Sequence, residues 1–381
     1  MQALPPRARL LLALPAVASL VCGVLSGLAR LGLPMPDLIE RLTGLHGALM
    51  IVGFFGTVIG LERAVALGRL WPFAAPLFSG LAGLALIAGV PLPLAPVLSC
   101  LAALVMSAAC ADVWLRQPAA HHTTLAVAAL AWLAGNVIWL LDGSVVTAVP
   151  LWTVFLLLTI AGERLELSRF LPTPPVARVL FAIIVTAMLA GAATALASES
   201  AGLKLFAASL LALALWLLRF DIARHTIRTA GLTRYMAACL LSGYAWLAVA
   251  ATLGVAGGLQ NGSPLRDAAL HALLLGFVFS MVFGHAPIIL PAVSTLKFRW
   301  HPGFYLPLAA LHLSLAARVV AGLSGQFPLR QQAAVANALA LSLFMLLVVT
   351  SLRFNRHSRR GTGTTGAGRP IDSTTLQRNL P

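Results

Sequence analysis

The chain is a succession of apolar runs separated by short polar stretches. Twelve runs stand out, at about 8–33, 41–65, 71–90, 93–115, 122–141, 145–162, 176–197, 201–220, 233–256, 266–292, 303–325 and 329–352. Each is near the length of about 20 residues that an α-helix needs to cross the hydrocarbon of a bilayer. The pattern predicts an all-α integral membrane protein of about twelve transmembrane helices, with a membrane domain over 1–353. Residues 354–381 break the pattern: they are polar, basic and rich in Gly and Thr, the composition of a disordered tail.

Composition agrees. Of 381 residues, 60% are hydrophobic and only 10% charged, and the mean hydropathy of +0.93 lies well outside the range of soluble domains. The net charge of +15 would by itself suit a nucleic-acid partner, but the Lys and Arg residues sit in the links between apolar runs and in the tail. There they report orientation. The N-terminus, the links after even-numbered spans and the tail carry 20 of the 26 Lys and Arg residues, which predicts that both termini face the cytoplasm. A bacterial-type inner membrane and its lipid are the expected surroundings, and nucleic acid is not an expected partner. Cys22, Cys100, Cys110 and Cys239 all lie inside apolar runs without paired spacing, so no disulfide framework or zinc finger is expected. The first run continues past Gly27 without a convincing cleavage site and reads as a retained helix.

Candidate chemistry begins in span 10. Between Ala268 and Thr295 there is no Asp, Glu, Lys or Arg, yet the span holds two histidines, His271 and His285. Fourteen residues return a helix to nearly the same face about 21 Å further along its axis. Ionisable groups inside a membrane are costly unless they pair or bind something. Span 2 repeats part of this pattern: LHGALMIVGFFGTVIG (45–60) and LHALLLGFVFSMVFGH (270–285) both open on Leu-His and reach Gly-Phe a few residues later. Span 6 lacks the histidine but closes on GERLELSR (162–169), an echo of GLERAVALGR (60–69). Spans 2, 6 and 10 are four helices apart, which suggests three four-helix units.

Spans 2 and 10 enter from the same side, so His46 and His271 lie at similar depth. Two neutral imidazoles facing each other across a bundle can serve as the axial pair of a haem iron. Gly44, Gly47 and Gly53 would let a flat macrocycle approach the backbone, while Gly56 and Gly60 form a GxxxG motif suited to helix packing. His285 and His312 are expected near mid-membrane on consecutive helices, a pair suited to copper or a second haem, or to structural hydrogen bonds. Arg318 in span 11 could neutralise haem propionates or pair with a buried carboxylate.

These residues carry a family resemblance. LHGALMIVGFFGTVIG resembles the second helix of haem-copper oxidase catalytic subunits, in which an HGxxM-type histidine holds the low-spin haem, and the position of His271 matches that haem's other ligand. The twelve-helix threefold layout is similar to theirs. HALLLGFVFSMVFGH (271–285), followed by an aromatic and apolar eleventh span, is more similar still to the NnrS family, haem- and copper-containing inner-membrane proteins linked to nitric oxide stress. The resemblance implies a haem- or haem-copper-dependent redox protein, with His46, His271, His285 and His312 as metal ligands and Arg318 beside the cofactor. There are departures. FGHAPIILP (283–291) superficially resembles the oxidase copper segment but lies on span 10 and has Ile289 in place of its tyrosine, span 6 has no histidine, and span 7 lacks the His-His pair. Proton-pumping oxygen reduction is not expected.

No CxxCH motif is present, so a haem would be b-type and held non-covalently, with electrons from a partner protein or a quinol. A metal-free secondary transporter and a haem-based sensor or assembly partner without turnover stay open as alternatives. Glu62-Arg63 and Glu163-Arg164 read as interfacial salt bridges, with proton entry a further reading. His121, His122, His225, His301 and His357 fall at span boundaries or among loop charges, and Trp132, Asn136 and Trp139 form a packing stripe on span 5.

Overall fold

The computed structural model describes residues 4–91, 93–168, 174–294 and 296–353; the segment 354–381, expected as a tail, lies outside them. The described chain is an all-α bundle. Its helices are α1 (Pro6–Ala29), α2 (Thr43–Leu67), α3 (Trp71–Ile87), α4 (Leu94–Arg116), α5 (Ala120–Asp142), α6 (Val145–Leu167), α7 (Pro175–Ala197), α8 (Glu199–Phe220), α9 (Gly231–Gly258), α10 (Arg266–Ser294), α11 (Pro302–Leu323) and α12 (Phe327–Ser351). Eleven are long and apolar enough to cross a membrane, and the chain is a multi-pass membrane protein. The exception is α3, shorter than its expected span because the Gly89 backbone turns to φ 70° two residues after the helix ends.

Successive helices pack side by side as antiparallel neighbours, α5 on α6, α7 on α8 and α11 on α12 most extensively. Between lipid-facing helices there is no hydrophobic drive to associate, so close approach depends on small residues. A Cβ on Gly53 of α2 would lie 2.5 Å from the Ser19 hydroxyl of α1 and 3.3 Å from the Gly83 Cα of α3, so three backbones meet there with no room for a methyl group. Gly53 is thus a packing glycine and not part of a cofactor cradle. The Gly56 and Gly60 motif packs likewise, on Ser79 and Trp132 and on Pro76.

The three helices that carry the sequence repeat are the most enclosed. In their most apolar stretches α2, α6 and α10 bury 61%, 67% and 61% of residues, against 28–56% for the other membrane-crossing helices. These three helices therefore lie at the centre of the bundle. Two of the three widen part-way into π-helix, α2 over Leu49–Gly56 and α10 over Ala272–Val278, each within three residues after its first histidine. Such widened turns are rare and concentrate at functional sites. Below the histidines, Phe54 of α2 stacks on Phe279 of α10 at 5.9 Å, and Phe55 meets the same ring edge-on at 5.3 Å. Pro287 and Pro291 stay inside α10, which continues as helix to Ser294.

At the other end of the bundle a two-residue antiparallel ladder, β1 (Lys297–Phe298) with β2 (Leu352–Arg353), ties the link after α10 to the end of α12.

Candidate functional site

α1, α2, α10 and α11 converge at the end of the bundle where α2 and α10 begin. The His46 and His271 rings lie there with centroids 6.2 Å apart and planes 25° from parallel. Each imidazole is fixed by its Nδ1. That of His46 donates to the Gly23 carbonyl of α1 at 2.6 Å, and that of His271 to the Asp267 carbonyl, one turn earlier on α10, at 2.8 Å. A carbonyl oxygen only accepts, so in both rings Nδ1 carries the hydrogen and Nε2 keeps the lone pair.

α1 makes room for this arrangement. A Cβ on Gly27 would lie 2.8 Å from His46 Cε1 and 2.9 Å from its Nδ1, so only glycine admits the ring. Gly23 and Gly27 form a one-turn pair on the face of α1 that receives α2. Among the glycines expected to flank a macrocycle, a Cβ on Gly44 would meet no atom within 4 Å, and one on Gly47 would make only ordinary contact with Val145.

Behind His271 stands an ion pair. Arg318 of α11 donates from Nε to one Asp267 oxygen at 2.8 Å and from Nη2 to the other at 2.7 Å. The same carboxylate lies 3.3 Å from His271 Nδ1. A bidentate guanidinium is the firmest partner a carboxylate can have, so Arg318 holds Asp267 and Asp267 holds the ring. Of the two readings of Arg318, the structure realises the pairing with a carboxylate.

The second expected pair does not meet. His285 donates from Nδ1 to the Met281 carbonyl at 2.7 Å, and its Nε2 faces Arg164 Nη1 of α6 at 3.4 Å. Arg164 is itself buried against Asp221, with Nε 2.8 Å from the carboxylate. His312 accepts at Nδ1 from the Trp246 indole N–H at 2.9 Å. A neutral His312 therefore carries its hydrogen on Nε2, which is buried without a partner. No hydrogen bond or ring contact joins His285 to His312 among the described residues. Depth brought them to the same level, but rotation about their helix axes turns them to α6 and α9. Of the four candidate ligands, only His46 and His271 combine proximity with an Nε2 lone pair that no hydrogen bond engages.

Among the described residues no three His, Cys, Asp or Glu side chains converge as a metal site. A porphyrin brings four nitrogens of its own to its iron, so a two-imidazole site suits haem better than a bare ion.

The remaining expectations resolve into packing and interface. Asn136 donates to the Ser99 carbonyl and accepts from Trp152, while Trp132 stacks on Phe155 and Trp139 meets Trp152 edge-on. His122 bonds the Gln117 carbonyl, and His301 accepts from Gly303 N–H. All four cysteines are free. Gly23, Gly27, Asp267, Trp246 and Asp221 were not among the expected residues. For Gly23 and Gly27 the four-residue spacing was a usable signal, and for Asp267 its place one turn before His271.

A cavity of about 150 Å³ lies at the histidine end between α6, α7, α8 and α10. Phe206, Leu203, Leu270 and Leu273 line it together with Arg266 and Glu199.

A family model described as a domain of unknown function (DUF8744) matches residues 9–353, and the chain belongs to that family. No curated protein and no solved structure matches it.

Proposed function

Taking membership of that family as the starting point, we propose that the protein is a haem-binding membrane protein in which His46 and His271 would hold one non-covalently bound b-type haem. The observation that carries this reading is the 6.2 Å separation of the two rings, each held by Nδ1 with its Nε2 lone pair unengaged. With metal–nitrogen bonds of about 2 Å, two imidazoles sharing one ion have ring centres roughly 6 Å apart. A carbonyl behind each ring, joined at His271 by the Asp267 carboxylate, is the usual means of fixing a ligand's tautomer and raising its basicity. Arg30, whose guanidinium reaches the Thr43 carbonyl at the start of α2 at 3.4 Å, is suited to a propionate of such a group, while Arg318 stays with Asp267. When bound, a haem would supply one-electron chemistry, and the protein's part would be to fix two imidazoles and exclude competing ligands.

This reading keeps the NnrS-type resemblance and its link to nitric oxide stress or redox metabolism as the working context, with electrons from a partner protein or a quinol. Copper is a weaker part of the reading, because His285 and His312 would both have to exchange their present partners. The location is the inner membrane with both termini cytoplasmic, on the distribution of Lys and Arg.

The test is to purify wild type, His46→Ala, His271→Ala and His225→Ala and to compare haem content and reduced optical spectra. Wild type and His225→Ala should hold one low-spin haem per chain, and each ligand variant should lose it or turn high-spin. If both ligand variants keep the wild-type spectrum and stoichiometry, the assignment fails. A metal-free transporter then becomes the leading reading, although α10 lacks the mid-membrane break that such proteins use at their sites. A sensor or assembly partner would hold the haem without turnover.

A further inference from the structure

At the end of the bundle opposite the histidine pair, Lys and Arg outnumber Asp and Glu fourteen to five among the described residues. Three of the five acids are committed, Asp112 to Arg69 and Arg116, Glu163 to Arg63, and Asp221 to Arg164. The other two, Glu62 and Glu166, stand on α2 and α6. Orientation in a membrane accounts for such an excess in general. A binding site has to be sought where local structure gathers the charge into a cleft.

That happens where α10 and α12 end and α11 begins. The β1 and β2 ladder is prolonged by a bond from the Arg299 amide to the Ser351 carbonyl at 3.0 Å, and His301 stays extended at φ −149° and ψ 156°. Side chains two apart in an extended chain share a side. Arg299 and His301 therefore face the same way, while Trp300 between them packs against the core. With Thr350 and Ser351 of α12 they line a cleft of about 290 Å³, at the small end of the range of ligand pockets.

The cleft offers donors and no carboxylate. The chain has no Asp or Glu between Asp267 and Asp372, and none of the ion pairs among the described residues involves Arg299. The His301 ring rests on Phe304 with centroids 5.0 Å apart, and its Nδ1 accepts from the Gly303 amide at 3.1 Å. Its hydrogen is thus on Nε2, which donates. A metal cation would find neither a carboxylate nor a free imidazole lone pair here. A phosphate suits the cleft, because a guanidinium holds two of its oxygens by parallel bonds and the imidazole N–H can take a third.

The surroundings favour a phosphate that carries acyl chains. Leu346, one turn before Thr350 on the same face of α12, is 59% exposed, and Val349 is 62% exposed. The apolar outer surface of α12 leads up to the cleft, so chains can lie along it while the headgroup occupies the polar end. A zwitterionic headgroup would bring an ammonium that finds no carboxylate. We propose that Arg299 and His301 bind the phosphate of one anionic glycerophospholipid, of the phosphatidylglycerol type, with its chains against Leu346 and Val349. The site is independent of the haem reading.

The test is native mass spectrometry of the full-length protein in detergent, titrated with phosphatidylglycerol or phosphatidylcholine. Wild type should bind one phosphatidylglycerol several-fold more tightly than phosphatidylcholine. Arg299→Gln should lose that preference with its thermal transition unchanged, since the side chain pairs with no described acid. Arg228→Gln, which removes a charge from the same end of the bundle outside the cleft, should keep it. Absence of a preference in wild type, its persistence in Arg299→Gln, or equal loss in the two arginine variants would overturn the proposal. Displacement of the lipid by an equal concentration of inorganic phosphate would make the cleft a site for the free anion and overturn the lipid assignment.

Discussion

His46 depends on a glycine that is not its neighbour in sequence. The Gly27 Cα faces the imidazole so closely that a single methyl group would overlap Cε1 and Nδ1. Gly27→Ala should therefore rotate His46 off the Gly23 carbonyl and release its Nε2 from a fixed direction. The expected outcome is a several-fold drop in haem retained through purification, or a high-spin component in the spectrum, with helix content by circular dichroism unchanged. Gly44→Ala meets nothing within 4 Å and should leave both measurements at wild-type values. Equal behaviour of the two variants would mean that the fit of the ring against α1 does not govern the site.

Between elements, the ion pairs tie together helices that lipid alone would not hold in register. Arg164 and Asp221 join α6 to the end of α8. A buried pair adds little net stability over apolar packing, yet removing one partner strands a charge at a cost of about 3–5 kcal/mol. Asp221→Asn should accordingly lower the thermal transition of the detergent-solubilised protein clearly, while Arg164→Met with Asp221→Leu should recover part of the loss. Asp112→Asn removes a half-exposed pairing with Arg69 and Arg116 and should cost less than about 1 kcal/mol. If the two Asp→Asn variants melt alike, the α6 and α8 pair does not bear on stability.

For the molecule as a whole, depth assignments rest on which face of the membrane the termini occupy. Residue 353 lies at the end of the bundle where Arg63 and Glu163 pair, away from the histidine pair. A reporter fused after it should be active in the cytoplasm and inactive in the periplasm. Periplasmic activity would exchange the two sides, placing the histidine pair toward the cytoplasm. The pairing of His46 with His271 would survive, because it depends on contact and not on orientation.

Hydropathy is a property of short windows, and lipid demands it of every spanning helix independently. That is why the all-α class and the order of the helices were legible in the chain, while the enclosure of α2, α6 and α10 emerged only in the assembled bundle. The His46 and His271 pair was legible too, because both stand a few residues into repeated helices that start from one face. Counting residues gives depth but not rotation about a helix axis, which packing against neighbours decides. His285 and His312 share a level and still turn to Arg164 and Trp246. The same limit hid Asp221 behind Arg164, Asp267 between Arg318 and His271, and the α1 carbonyl that fixes the His46 tautomer. Each of these partners lies on a different helix from the residue it holds, or depends on one, and only the assembled bundle could select it.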